Sequence, residues 1–96
     1  MGKARAKPAT LVLRLYVAGN APNSLRAVAN AKTLCEEHLT VPCELEVVDL
    51  LENPRRALAD GIIVTPTLLR LHPLPIQRVI GNLSDTQQVL LTLANK

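Results

Sequence analysis

Cys35, His38 and Cys43 are the residues whose types could do chemistry on their own, two thiols and an imidazole in the pattern C-x2-H-x4-C. That pattern offers three soft ligands with no fourth nearby, one short of a closed structural zinc site. Seven residues separate the cysteines, which matches neither a C-x-x-C redox pair nor a zinc knuckle. Both are read as buried or bystander thiols, and neither a metal nor a cofactor is expected. His72 is far from His38 in sequence, and each reads as a surface or helix-terminal residue rather than a base. The sequence contains no Ser/His/Asp arrangement, paired carboxylates or phosphate-cradling glycine loop.

Ser24 is the remaining nucleophile of interest, in the stretch "GNAPNSLRA" of residues 19–27. Its surroundings decide what it can do. Thr10 to Val17 alternates, with Leu11, Leu13, Leu15 and Val17 on one face and Val12, Arg14 and Tyr16 on the other, which is the period of a strand. Leu25, Val28, Ala31, Cys35 and Leu39 recur at intervals of three and four, predicting a helix from about Ser24 to His38 that buries this stripe and turns Cys35 inward. "CELEVVDLL" reads as a second strand after the break at Pro42, and strand, helix, strand implies a parallel crossover.

Asn53 offers a capping oxygen, Pro54 suits a first helical position and Gly61 a left-handed stop, so a short helix is expected over Pro54 to Asp60. "TPTLLRLH" alternates again, placing Leu69 and Leu71 opposite Leu68 and Arg70. "PLP" then forces a break and "IQRVIG" returns as an antiparallel partner. "SDTQQVLLTLA" opens with Ser84 and Gln87 spaced as a capping box and continues with Thr86, Val89, Leu90 and Leu93 on one face of a helix. The order is βαβαββα, an α/β thioredoxin-like arrangement.

Composition bounds the function. Ninety-six residues make one domain with one core and leave no room for a second, substrate-binding domain. Lys3, Arg5 and Lys7 supply three of the eleven cations, so residues 1–8 read as a basic flexible tail, and the body from residue 9 to 96 balances eight cations against eight acids. A neutral body with Tyr16 as its only aromatic residue has neither the basic face nor the stacking platforms of a nucleic-acid binder. Arg14 interrupts the only apolar segment that follows a basic start, and no run approaches membrane-spanning length, so a cytoplasmic location without membrane contact is expected.

In this architecture the loop after the first strand meets a proline that precedes the third. "GNAPNS" and "VTPT" are the partners here, and the Thr65-Pro66 bond is expected to be cis. Thiol exchange needs a thiolate, but Ala21 and Ser24 occupy the places where C-x-x-C would put its sulfurs, so disulfide exchange at this loop is excluded. Two readings of Ser24 remain: a hydroxyl donated to a glutathione thiolate, as in some glutathione transferases, or a cap, with Asn23, for the first helix.

The stretches "LRLYVAGNAPNSLRA", "VVDLLENP", "VTPTLLRL", "P-x-P" and "RVIGNLS", in one collinear order from Leu11 to Leu93, together resemble the KaiB family of circadian clock proteins and their relatives, including the KaiB-like sensory domain of the SasA histidine kinase. The resemblance implies a non-enzymatic adaptor that binds the N-terminal ATPase ring of KaiC, a hexameric ATPase, and helps sequester KaiA. It also implies two folds: the thioredoxin-like state, a monomer, and a βαββααβ ground state, commonly a homotetramer. Asn53-Pro54, Gly61 and the Ser84/Gln87 pair favour the first. The chain departs from the family pattern at Gly61, where clock members often carry a basic residue, and at Asn82, which stands for the Asp of "IGDLS". The candidate partner-binding residues are Asn20, Pro22, Asn23, Ser24, Arg26, Arg55, Arg56, Arg70 and Arg78, framed by Thr65-Pro66, with residues 44–50 as an edge open to a partner strand. The competing functions are a glutathione-binding enzyme without a C-x-x-C pair and a stress-signalling module with another partner.

Overall fold

The computed structural model describes residues 10–94; the basic segment read as a tail lies outside them. The alternating first segment forms β1 (Leu11–Val17), followed by α1 (Pro22–Thr33), a π-helical turn (Leu34–His38), β2 (Cys43–Asp49), α2 (Pro54–Ala59), β3 (Thr67–His72), β4 (Gln77–Ile80) and α3 (Thr86–Ala94). The sheet order is β2-β1-β3-β4. β1 runs parallel to β2 and antiparallel to β3, and β3 is antiparallel to β4. This is the βαβαββα order, with the 86–94 segment helical, rather than βαββααβ. Among the described residues no helix is long and apolar enough to cross a membrane.

The two faces of β1 feed two cores, as its period dictates. Leu11, Leu13, Leu15 and Val17 join Leu68, Ala27, Ala31, Leu34, Val89 and Leu93 in the larger core, which α1 and α3 cover. Tyr16 joins Val48, Ala57 and Leu69 in a smaller core beneath α2.

Several local expectations shift. Pro22 takes the first position of α1, two residues ahead of the expected start, and the helix buries Ser24, Ala27, Ala31 and then Leu34, while Leu25 is 54% exposed. The leucines of the sheet fill this layer, so the helix approaches through its small residues and the buried stripe moves by one position. Neither Asn23 nor Ser24 caps α1; the cap position is Ala21, which makes no side-chain capping bond. Cys35 and Cys43 are not bystander thiols. They are half-buried against the larger core and joined to each other as a disulfide, because the π-helical turn brings Cys35 to the start of β2.

Asn53 stands at the cap of α2 but its Nδ2 donates to the Asp49 carbonyl instead of its oxygen accepting from the helix. The stop behaves as expected. Gly61 has φ +67°, its N–H donates to the Leu58 carbonyl at 3.0 Å and the Ile62 N–H to the Ala57 carbonyl at 2.9 Å, a Schellman closure. A Cβ at Gly61 would also meet Nη2 of Arg78 at 3.3 Å. Gly61→Ala is therefore expected to cost about 1 kcal/mol in urea unfolding; an unchanged midpoint would show that α2 does not depend on this stop.

At α3 the Ser84/Gln87 box does not form. Asp85 Oδ1 accepts the Gln88 N–H at 3.1 Å, while the Ser84 N–H donates to Asn82 Oδ1 at 3.0 Å. Asp85 is an equally good capping residue one position later, and it takes the role.

Candidate functional site

Three loops meet at one end of the sheet. The loop between β1 and α1 is closed by Ser24, whose Oγ accepts the Ala18 N–H at 3.0 Å, and by Asp49 at the end of β2, whose Oδ1 accepts the Gly19 N–H at 3.1 Å. The loop after β4 crosses beneath it. Asn82 Nδ2 donates to Asn23 Oδ1 at 3.4 Å, and Asn30 Nδ2 donates to the Asn82 carbonyl at 2.7 Å. The turn before β3 completes the group, with Gly81 N–H bonded to the Pro66 carbonyl at 3.0 Å and Thr67 Oγ1 donating to the Val64 carbonyl at 2.6 Å. Thr65-Pro66 is cis, and so are His72-Pro73 and Leu74-Pro75, which the sequence reading did not anticipate. Asn82 is thus a site residue in its own right, and its position in "RVIGNLS" was the only signal for it.

Ser24 is 1% exposed and its oxygen is engaged with the loop backbone. It holds the loop closed and presents no hydroxyl to a thiol at the surface. Asn20 is exposed on this loop, and Pro22 and Asn23 are exposed in the first turn of α1. The neighbouring rim is apolar: Ile63 is 93% exposed, Ile80 64% and Val64 46%, and with Gly61, Thr67 and Arg78 they line an open groove.

The five candidate arginines fall into three situations. Arg26 is exposed and donates to Asn23 Oδ1 one helical turn earlier, and Arg55 is exposed on α2. Arg56 and Arg78 are exposed but held, Arg56 by Glu46 Oε1 at 2.8 Å and Arg78 by the Asp60 and Gly61 carbonyls at 2.9 and 3.2 Å. Arg70 is not a surface charge. It is 2% exposed, and its guanidinium donates to the Leu93 carbonyl at 2.6 Å and the Pro75 carbonyl at 2.7 Å, because strand alternation puts it beside Leu68 on the face that α3 covers.

Behind the exposed arginines of α2 lies a polar network. Arg14 bridges Glu46 and Asp60 at 2.9 Å each, and the Tyr16 hydroxyl donates to Asp60 at 2.6 Å and lies 3.0 Å from the Arg56 carbonyl. The pairing of β1 with β2 sets Arg14 directly opposite Glu46. Hydrogen bonds from Arg56 and then Arg14 lower the Glu46 carboxyl from its ordinary 4.5 to about 2, and the Tyr16 hydroxyl followed by Arg14 lowers Asp60. Carboxylates bound more tightly as anions in the folded state stabilise it fully above their unfolded pKa, and lose that contribution as pH falls through the folded one. The melting temperature is accordingly expected to fall from about pH 4.5 down to about 2. Glu46→Gln should flatten part of that fall, modestly because the pair is half-exposed; identical acid profiles for the two proteins would remove Glu46 from the account.

The profile of the KaiB domain matches residues 14–95. The circadian clock oscillator protein KaiB of Synechococcus elongatus is 48% identical over 84 residues, which is 88% of this chain and 82% of that protein. Among solved structures, the N-terminal domain of Synechococcus elongatus SasA superposes with a TM-score of 0.73 at 29% identity, covering 95% of this chain and 86% of that one. Chloroplastic thioredoxin z, at 20% identity and a TM-score of 0.68 over 86% of this chain and 75% of its own, shares the fold. A KaiB-domain match over most of the length, at nearly one residue in two identical to a clock protein, places the chain in a family: it belongs to the KaiB family.

Proposed function

We propose that this chain is a non-enzymatic clock adaptor that binds the N-terminal ATPase ring of a KaiC-type hexamer in the cytoplasm, with KaiA as a second partner. The observation that carries the reading is the division of labour at the three-loop surface. Ser24, at the place of a catalytic cysteine, is buried with its oxygen in a structural bond, while Ile63, Val64 and Ile80 lie open beside Arg78. An open groove of exposed apolar side chains beside a cation suits a protein partner. Family membership supports a KaiC-type ring as that partner. The same burial of Ser24 counts against glutathione chemistry.

Arg26, Arg55, Arg56 and Arg78 are the charges available to the partner; Arg55 lies on α2 and Arg78 lines the groove. The reading includes monomeric binding in the thioredoxin-like state and slow conversion from a second, tetrameric fold, both states lying within a few kcal/mol of each other. Gel filtration with a KaiC-type hexamer and ATP, after long incubation, tests it. Co-elution is expected, with affinity about tenfold or more weaker for Arg55→Glu combined with Arg78→Glu. Full affinity in the charge-reversed protein would remove these arginines from the interface, and separate elution of the unaltered chain would refute the adaptor reading.

A further inference from the structure

The chain lacks sulfur at the start of α1, where a thioredoxin-like oxidoreductase would carry it, and has a pair of sulfurs at the other end of the same helix. Cys35 lies in the π-helical turn that finishes α1, and Cys43 is the first residue of β2. Their Cα atoms are 5.6 Å apart, within the span that disulfides bridge, and the two sulfurs are bonded. Neither cysteine is sealed in the core. Both are half-buried, and between them the exposed residues Glu36, Glu37, His38, Thr40, Val41 and Pro42 keep the connection open to solvent.

The bond closes a short ring around the α1–β2 connection. That ring is joined to the rest of the sheet through the Leu11 N–H, which donates to the Pro42 carbonyl at 2.8 Å, and through the pairing of Leu11 with Cys43. β2 is an edge strand, with a neighbour on one side only. The start of β2 therefore depends on two attachments, the β1 ladder and the disulfide. Removing the disulfide leaves a strand end that frays from an edge.

We propose that Cys35 and Cys43 form a reversible thiol–disulfide exchange site for low-molecular-weight thiols of the glutathione class, and that its redox state sets how firmly the first residues of β2 are held. In the reducing direction, a thiolate RS⁻ attacks one protein sulfur, forms a mixed disulfide and releases the other cysteine, which takes up a proton. A second RS⁻ then displaces the remaining protein sulfur as RSSR, and that sulfur too is protonated. The sum is protein disulfide plus 2 RSH giving protein dithiol plus RSSR, a two-electron exchange that runs backwards with excess RSSR.

The location distinguishes this pair from a catalytic one. A helix N-terminus lowers a thiol pKa, whereas the C-terminal end carries the negative pole of the helix and disfavours a thiolate. Glu36, Glu37 and Glu44, within two residues of the cysteines in the chain, add negative charge of their own. A pair at this pole lacks the helix N-terminus that activates the cysteines of a C-x-x-C oxidoreductase, so it is placed to hold a state and not to turn over on a protein substrate.

Equilibration of the full chain in glutathione buffers of graded ratio, followed by alkylation and mass measurement, tests the proposal. The expected result is a loss of both alkylatable thiols together in a single two-electron step, within monomers on a non-reducing gel. Hydrogen exchange in the two end states should show the amides of residues 36–45 exchanging about tenfold or more faster when reduced, with α3 unchanged. Cys35→Ser and Cys43→Ser should each exchange like the reduced form in both buffers. Thiols that stay alkylatable in excess oxidised glutathione, a disulfide formed between chains, or identical exchange over 36–45 in the two states would each overturn it. The titration of the unaltered chain decides the matter even if a serine variant fails to fold.

Discussion

Arg70→Met is expected to lower the unfolding free energy by about 3 kcal/mol and the melting temperature by about 15 °C. Methionine keeps much of the volume and the flexible stem but removes the donors that reach the Leu93 carbonyl in the last turn of α3 and the Pro75 carbonyl in the β3–β4 turn. The last carbonyls of a helix have no partner within it, and a cation there also meets the negative end of the helix. The Leu93 carbonyl, left buried without its donor, costs about 1–3 kcal/mol and the part-buried Pro75 carbonyl less, offset in part because methionine does not have to be stripped of water as a guanidinium does. Arg70→Lys should fall between the two, since one ammonium cannot span both acceptors with the geometry of the guanidinium fork. Helical NMR shifts over residues 90–94 should weaken before those of α1, because α3 loses a direct attachment to Arg70 and α1 does not. Thermal melts that differ by less than about 2 °C would show that Arg70 behaves as an ordinary surface arginine, for which effects stay within about 0.5 kcal/mol.

Arg70 also shows what kind of information the sequence held. Its burial was legible: the alternation of "TLLRLH" sets Arg70 on the face of Leu68, and Leu68 is fully buried. What the alternation did not reveal is which element covers that face, and an arginine of unknown covering reads as a surface charge. The same limit explains the other differences. The strand of Leu11–Val17 and the stop at Gly61 depend on local period and backbone preference, and both appear as read. The buried stripe of α1 depends on how closely a helix can approach a sheet already filled with leucine, so small residues won over Leu25. The cysteine pair depends on a π-helical turn followed by a bend, a path that spacing alone does not describe. At the site, "GNAPNS" and Thr65-Pro66 are linked through the loop after β4, by Asn82 to Asn23 and by Gly81 to Pro66. The bond of Asn82 to Asn23 and the grouping of Arg14, Tyr16, Glu46 and Asp60 required strand register and side-chain reach, which no local pattern supplies.

That grouping yields the second large effect. Tyr16→Phe is expected to cost about 1.5 kcal/mol and Asp60→Ala about 2 kcal/mol, while the double variant costs about 1 kcal/mol less than their sum. Tyr16 is fully buried, so phenylalanine preserves the packing against Val48, Ala57 and Leu69 and removes only the hydroxyl. Without it Asp60 loses its shortest bond, at 2.6 Å, and keeps Arg14 at 2.9 Å. Without Asp60 the hydroxyl still has the Arg56 carbonyl at 3.0 Å as an acceptor, and Arg14 still has Glu46. Each single variant therefore retains a fallback, and the shortfall from additivity measures the bond itself. The Tyr16 hydroxyl is the foremost cause of the lowered Asp60 carboxyl, so in Tyr16→Phe an NMR titration should find Asp60 moved upward toward the ordinary carboxylate range. Additive losses with an unmoved Asp60 would mean that the hydroxyl and carboxylate act independently. A coupled result would mean that the inward-facing Tyr16 of β1, through Asp60 and the Arg56 carbonyl, fixes the helix on which Arg55 and Arg56 are displayed, so that core packing and the orientation of the candidate partner surface are set by one hydroxyl.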